Sequence, residues 1–328
     1  MTAVTDRVKS TATKKPQGLL GRFKTGVPYA FLSPYLLIFF IFGFFPLLFS
    51  IYLAFHQWNP VEGFDAMTYV GFENFTLALT DPWTWKALKN TILLGLYTGI
   101  PQHLIAIPMA CFLVTLAPRL RHIFTSALFF PYITSSVAIS LIFFQLYEPN
   151  TGVINQTLAT LAEHALTGWA FFWVQDVLPL RWLKDVQLIQ PAIAFVIFWK
   201  FVGFNIVIYM TGLMTIPKSL YEAAKIDGAS SWQQFRYITL PSLRPFIFFA
   251  VTLTLIGSLQ LFEEPYILTR GKGGPSQAGL TVSNHLMRMG WEWLEMGTAS
   301  ALSWLLFLLI GGLTALKFAV FGRKRPPA

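Results

Sequence analysis

Few residues in this chain are of a type that does chemistry, and those few stand far apart. Five histidines, His56, His103, His122, His164 and His285, are scattered over 328 residues without an H-E-x-x-H pair, and a zinc site would need such ligands on one face. The single cysteine, Cys111, excludes a disulfide within the chain and a cysteine zinc cluster; a lone Cys in apolar surroundings is ordinarily a small hydrophobe. The run Gly271-Lys272-Gly273-Gly274 lacks the spacing of G-x-x-x-x-G-K-[ST] and the helix start that follows it, so no phosphate loop binds ATP here. Neither catalysis nor a bound metal or cofactor is expected of this chain.

What remains is hydrogen bonding and charge pairing in apolar surroundings. Lys200, Asn205 and Tyr209 lie in one long apolar block, and Glu263 and Glu264 close another. Asn205 and Tyr209, four apart, share a helical face, whereas Lys200 and Asn205, five apart, do not. Ionisable groups in such blocks are costly and often functional. The bland reading stands beside this one: Glu263 and Glu264 precede Pro265 at what reads as a water interface, and many polar side chains between helices only hold a bundle together. Gln145 and Gln260 are weaker candidates.

The blocks that position these residues have the length of membrane spans. The chain is 55% hydrophobic and 12% charged with a mean hydropathy of +0.56, against roughly 45–50% and about 25% in an ordinary soluble domain. Apolar residues gather at 31–55, 90–116, 123–147, 188–214, 245–268 and 298–320, each roughly 22 to 27 residues, enough to cross about 30 Å of hydrocarbon at ~1.5 Å per residue. The expected fold is an all-α membrane protein of six transmembrane helices. Its membrane domain covers 29–321, between a polar N-terminal tail, 1–28, and a C-terminal tail, 322–328.

Charge sets the expected orientation. The tail before the first block is basic and leads into a block long enough to span, unlike a signal peptide. With both termini in the cytosol, inside segments carry fifteen Lys and Arg and outside segments seven, the asymmetry of the positive-inside rule. The net charge of +9 is therefore read as a record of topology, and nucleic acid is not an expected partner. The outer loops hold Glu62, Asp65, Glu73 and Asp81, then Trp169, Trp173 and Trp182; the apolar stretch 171–180 is too short to cross and is expected at the interface.

The informative segment is the cytosolic loop between the fourth and fifth blocks, 215–244, which reads TIPKSLYEAAKIDGASSWQQFRYITLPSLR. Pro217 ends the preceding helix, and Ser219 with Glu222 matches an S-x-x-E capping box that starts a new one. Asp227-Gly228 stops it. Ser231 with Gln234 matches a second box, and Leu240-Pro241 closes the helix it launches. Two capped helices exceed what a connection needs. Tyr221, Ile226, Trp232 and Phe235 are the expected apolar anchors for a partner.

At these residues the chain resembles a known family. EAAKIDGASSWQQFRYITLP, 222–241, is similar to the EAA motif of binding-protein-dependent ABC importer permeases, with EAA, Asp-Gly-Ala and Ile-x-Leu-Pro at the family spacing. The first span, YVGFENF at 69–75, LKNT before the second span and FEEPYILTRGKGGP at 262–275 resemble the maltose-type sugar branch, and the long first span and outer loop resemble the first of two paired permeases. RGKGGP departs from the more usual TGGGP. The resemblance implies a multi-pass subunit of a prokaryotic cell (inner) membrane. It forms half of a pathway with a second permease, above two ATPase subunits that use ATP and Mg, and takes solute from an extracytoplasmic binding protein. It places Glu222, Ala223, Ala224, Asp227 and Gly228 at the ATPase-coupling surface, and makes Asn205, Tyr209 and Glu263 candidates for contact with a sugar. A polyol or glycerol phosphate is the alternative solute. A self-sufficient secondary transporter would show internal repeats, and none is evident.

Overall fold

The computed structural model describes residues 20–165 and 178–321. Expectations for residues 1–19, for 171–177 with Trp169 and Trp173, and for the C-terminal tail lie outside the described residues. The chain divides into two units, Met1–Tyr52 and Leu53–Ala328, each described by itself.

In the first unit, α1 (Leu20–Phe39) passes through a π turn, Phe40–Phe44, into α2 (Phe45–Ala54), whose last two residues belong to the second unit. The widened turn has a local cause. Pro46 has no N–H and its ring would press on the carbonyl four residues back; in the π turn Phe45 instead donates to Phe40 O, five residues back. Phe31–Ala54 is long and apolar enough to span.

The second unit opens on a two-stranded hairpin, β1 (His56–Gln57) antiparallel to β2 (Thr68–Tyr69). Then come α3 (Glu73–Thr80) and α4 (Pro82–Thr115). The second span was expected to start near Asn90, but its helix starts at Pro82. Asp81 caps it, accepting from Trp83 N at 2.9 Å, with Pro82 in the first turn, and hydropathy does not score such a start signal.

The third block also departs from expectation: α5 (Pro118–Ile133) and α6 (Ser136–Leu146) meet at 94° instead of forming one helix. Thr134 (ψ 149) and Ser135 (ψ 128) are extended and break the ladder. After α7 (Val153–Ala165) comes α8 (Ile189–Met214), followed by α9 (Lys218–Ile226), α10 (Ser231–Gln234) and α11 (Leu240–Ser242). The chain closes with α12 (Arg244–Leu259), α13 (Glu263–Leu268), α14 (Val282–Met287) and α15 (Met296–Phe321). Among the described residues, five helices are long and apolar enough to cross a membrane, or six if the bent pair α5 and α6 counts as one span.

Helix α8 is the centre of the packing. It is apolar all round, the mark of a helix surrounded by others, and half of its residues are buried. Gly203 lets it approach α5 closely, since a Cβ there would strike the backbone carbonyl of Leu128. Lipid is as apolar as Leu, so this contact is held by close packing and hydrogen bonds rather than by the hydrophobic effect.

Candidate functional site

The helical loop is built from short-range signals. Its first helix, α9, is capped by Pro217, which has extended backbone (ψ 131) and makes no side-chain cap bond. The expected Ser219–Glu222 box is thus corrected: Ser219 lies inside the first turn, because the proline turns the chain and helix begins directly after it. At the other end Gly228 takes φ +77. Ala229 N donates to Ala224 O at 2.9 Å and Gly228 N to Lys225 O at 3.1 Å, the two bonds of a Schellman stop.

The second box is shifted by one residue. Ser230 caps α10: Gln233 N donates to Ser230 Oγ at 3.3 Å and Ser230 N to Gln233 Oε1 at 2.7 Å. Ser-Ser-Trp-Gln-Gln offers both registers, and this one frees Gln234 to donate to Ala229 O at 2.9 Å, tying α10 to the stop of α9. Pro241 does not end the helical path. A π turn, Phe235–Thr239, runs into α11 with Pro241 in its first turn, and the direction changes at Leu243 (ψ −8).

The surface this creates is apolar and bare. Ile226 is 87% exposed, Trp232 69% and Tyr237 73%, and Trp232 stacks on Phe235 with centroids 5.6 Å apart. Glu222, Ala223, Asp227 and Gly228 are exposed beside them and Ala224 is half-buried. Tyr221, expected as an anchor, is half-buried and bonds Thr239 Oγ1 at 2.9 Å, fastening α9 to the π turn. Tyr237 was not among the expected anchors, because the π turn at Phe235–Thr239 shifts the phase of the helix and the sequence pattern does not show it.

Within the spans, the polar candidates fall into two groups. Asn205 and Tyr209 are buried between α8 and α4, where Asn205 Nδ2 donates to Gln102 Oε1 at 3.1 Å and Tyr209 Oη meets His103 Nδ1 at 2.7 Å. Lys200 pairs with Glu264 at 2.8 Å and donates to Ser136 Oγ. Glu263 is exposed and outside both groups. Neighbouring residues on a helix point about 100° apart, so separating Glu263 from Glu264 required knowing where α13 begins. Gln102 and His103, two adjacent polar residues in an apolar block, were the legible signal for the partners of Asn205 and Tyr209.

Comparison with known proteins bears directly on this architecture. Residues 18–321 match the family of binding-protein-dependent transport system inner membrane components. The chain belongs to that family. As a member it is 32% identical over 288 residues, 88% of its length and 86% of the relative's, to the arabinooligosaccharides transport system permease protein AraP of Bacillus subtilis (strain 168). It is 31% identical over 295 residues, 88% of its length and 92% of the relative's, to the lactose transport system permease protein LacF of Rhizobium radiobacter. Its fold matches a chain in the crystal structure of a bacterial ABC transporter involved in import of the acidic polysaccharide alginate, with a TM-score of 0.76 over 94% of this chain and 99% of that one at 22% identity. It is thus a membrane permease component whose named relatives are transport subunits.

In this inner membrane component the ends of the spans opposite the helical loop are covered by the segment 270–280. Arg270, Ser276 and Gln277 have φ of 53°, 49° and 58°, a region costing about 1–2 kcal/mol per non-glycine residue. Side chains hold the segment there. Asn90 donates to Gln277 O at 2.8 Å, Gln190 to Ala278 O at 2.9 Å, and Arg288 to Gly271 O at 2.7 Å. Nearby, His285 Nε2 meets Asp81 Oδ2 at 2.7 Å. Burial pulls His285 below its ordinary value of 6.5, while the hydrogen bond and charge of Asp81 oppose the shift. A cavity of about 710 Å³ alongside is lined by Trp58, Glu62, Glu73, Asp81, Trp293 and Glu295.

Proposed function

We propose that this chain is the transmembrane permease subunit of an ATP-driven importer for a sugar, either a mono-, di- or oligosaccharide. It forms half of the pathway with a second permease and receives solute from an extracytoplasmic binding protein. Both termini and the loop 215–244 face the cytosol, where α9 seats in a separate ATPase. The observation that carries this reading is the surface of α9, α10 and the π turn after them: Ile226, Trp232 and Tyr237 are bare apolar side chains on a platform held by a Schellman stop and a capping box. Three such side chains on a rigid platform suit a partner's cleft. The relatives named for arabinooligosaccharides and lactose support a sugar as the solute.

In the coupling step the chain's own residues supply shape and position. Ala223 and Ala224 are small and allow close approach, and Gly228 ends the helix at a defined place. Glu222 offers a carboxylate to a cationic or N–H partner. Closure of the ATPase pair then moves α9 and, through Leu243, α12. Affinity purification from membranes is expected to recover an ATPase subunit. Glu222→Ala with Gly228→Val is expected to lower sugar uptake per permease by about tenfold or more while ATP hydrolysis persists. Uptake at the unsubstituted level in that variant would remove the coupling role.

A further inference from the structure

A line of discontinuities crosses the second unit between two of its packing cores. The first core includes Leu94 of α4, Ile139 and Phe143 of α6, and Val196 and Ile197 of α8. The second includes Ala106 of α4, Val202, Ile206 and Tyr209 of α8, and Ala250 of α12. On α4 the transition is marked by Pro101, which cannot donate to the carbonyl four residues back. Between α5 and α6 it is marked by extended Thr134 and Ser135. Between α12 and α13 it is marked by residues 260–262, where Phe262 has φ −130 and ψ −60. Helix α8 runs through unbroken, and the residue it places between the cores is Lys200.

The Lys200 ammonium meets both half-helices just past their breaks. It donates to Ser136 Oγ at the start of α6 and to Glu264 Oε1 at the start of α13, with side chains of Lys200 and Glu264 only 9% and 6% exposed. The same half-helices meet again at their far ends, where the Arg270 guanidinium lies 4.6 Å from the Phe144 ring centroid. Ser136 to Phe144 and Glu264 to Arg270 advance together, so α6 and α13 run parallel and are joined at both ends. A buried ion pair is poor evidence of net stability, because desolvation offsets the attraction. Its position at the junction of two breaks is what needs a reason.

We propose that Lys200 is a positioning residue for transport. It fastens α6 and α13 to each other across the unbroken α8, so that the two half-helices move as one piece about their breaks at Thr134, Ser135 and residues 260–262 when the pathway changes access. The inference rests on the permease reading. Lys200→Met with Glu264→Met removes both charges while keeping unbranched side chains of nearly the same length, an exchange that buried pairs tolerate.

In liposomes holding the full complex, uptake per assembled complex is expected to fall at least about tenfold in this double variant, with ATP hydrolysis no longer dependent on solute. Lys200→Arg, which keeps charge and donors, is expected to retain uptake. Unchanged uptake in the double variant overturns the proposal. A second arm keeps the pair intact and reads distances between spin labels in a Cys111→Ser background. Between Leu141→Cys on α6 and Lys272→Cys after α13 the distance is expected to hold on addition of ATP and Mg, while that between Leu141→Cys and Ile123→Cys on α5 changes. A nucleotide-dependent change in the first distance overturns the proposal whatever the double variant does. Uptake by the unsubstituted complex, assayed alongside, tests the proposed function separately.

Discussion

Asn205 is where a solute contact and a packing contact make opposite predictions. Its amide donates to buried Gln102 at 3.1 Å, so Asn205→Leu leaves Gln102 Oε1 without that donor. Such a loss costs about 1–3 kcal/mol in water-soluble proteins and about 0.6 kcal/mol on average between membrane helices. The expected outcome is a lowered unfolding midpoint in detergent with the solute concentration for half-maximal uptake unchanged. A shifted half-maximal concentration at unchanged stability would instead restore Asn205 to the pathway.

His285 carries a pH dependence of a definite sign. Its fully buried ring faces Asp81, with Arg288 and Glu295 as the other charges acting on it, and burial lowers its pKa in the folded chain. The unfolded chain therefore binds a proton first as pH falls through 6.5, and the stabilisation present above that pH is lost below it. Thermal unfolding midpoints are expected to drop between pH 7 and pH 5, and His285→Gln is expected to flatten part of that slope. An identical slope in the variant would show that His285 does not contribute.

Among the elements, the two short loop helices show how far local pattern reaches. S-x-x-E and S-x-x-Q are sound start signals, yet the first box does not form, because Pro217 takes the cap position, and the second forms one residue earlier, at Ser230. Ser230→Ala is accordingly expected to cost about 1 kcal/mol of local stability, seen as faster amide exchange over 231–234. Ser219→Ala is expected to change nothing measurable there. The Schellman stop at Gly228 was legible because the left-handed residue is named by its own chemistry. The break at Thr134 and Ser135 was not, because neither residue forbids a helix and a predominantly apolar block of this length reads as one span.

Among the described glycines of the second unit, the tightest approach is the crossing of α8 and α5 at Gly203. A side chain there would meet the Leu128 carbonyl, and backbone cannot move aside as a flexible side chain can. Gly203→Leu is expected to exceed the about 1–3 kcal/mol typical of overpacking and to abolish recovery of folded protein from membranes, whereas Gly257→Leu, with open space around it, is expected to be recovered normally.

The division between sequence and tertiary structure follows from range. Hydropathy blocks determined a polytopic helical chain, because a bilayer demands long apolar helices whatever surrounds them. The loop 215–244 determined the family, because its motif is local. Which polar residues meet was decided only in three dimensions. Lys200 and Glu264 are 64 residues apart, and their pairing depends on two helix breaks and on the phase of α13, which hydropathy does not encode.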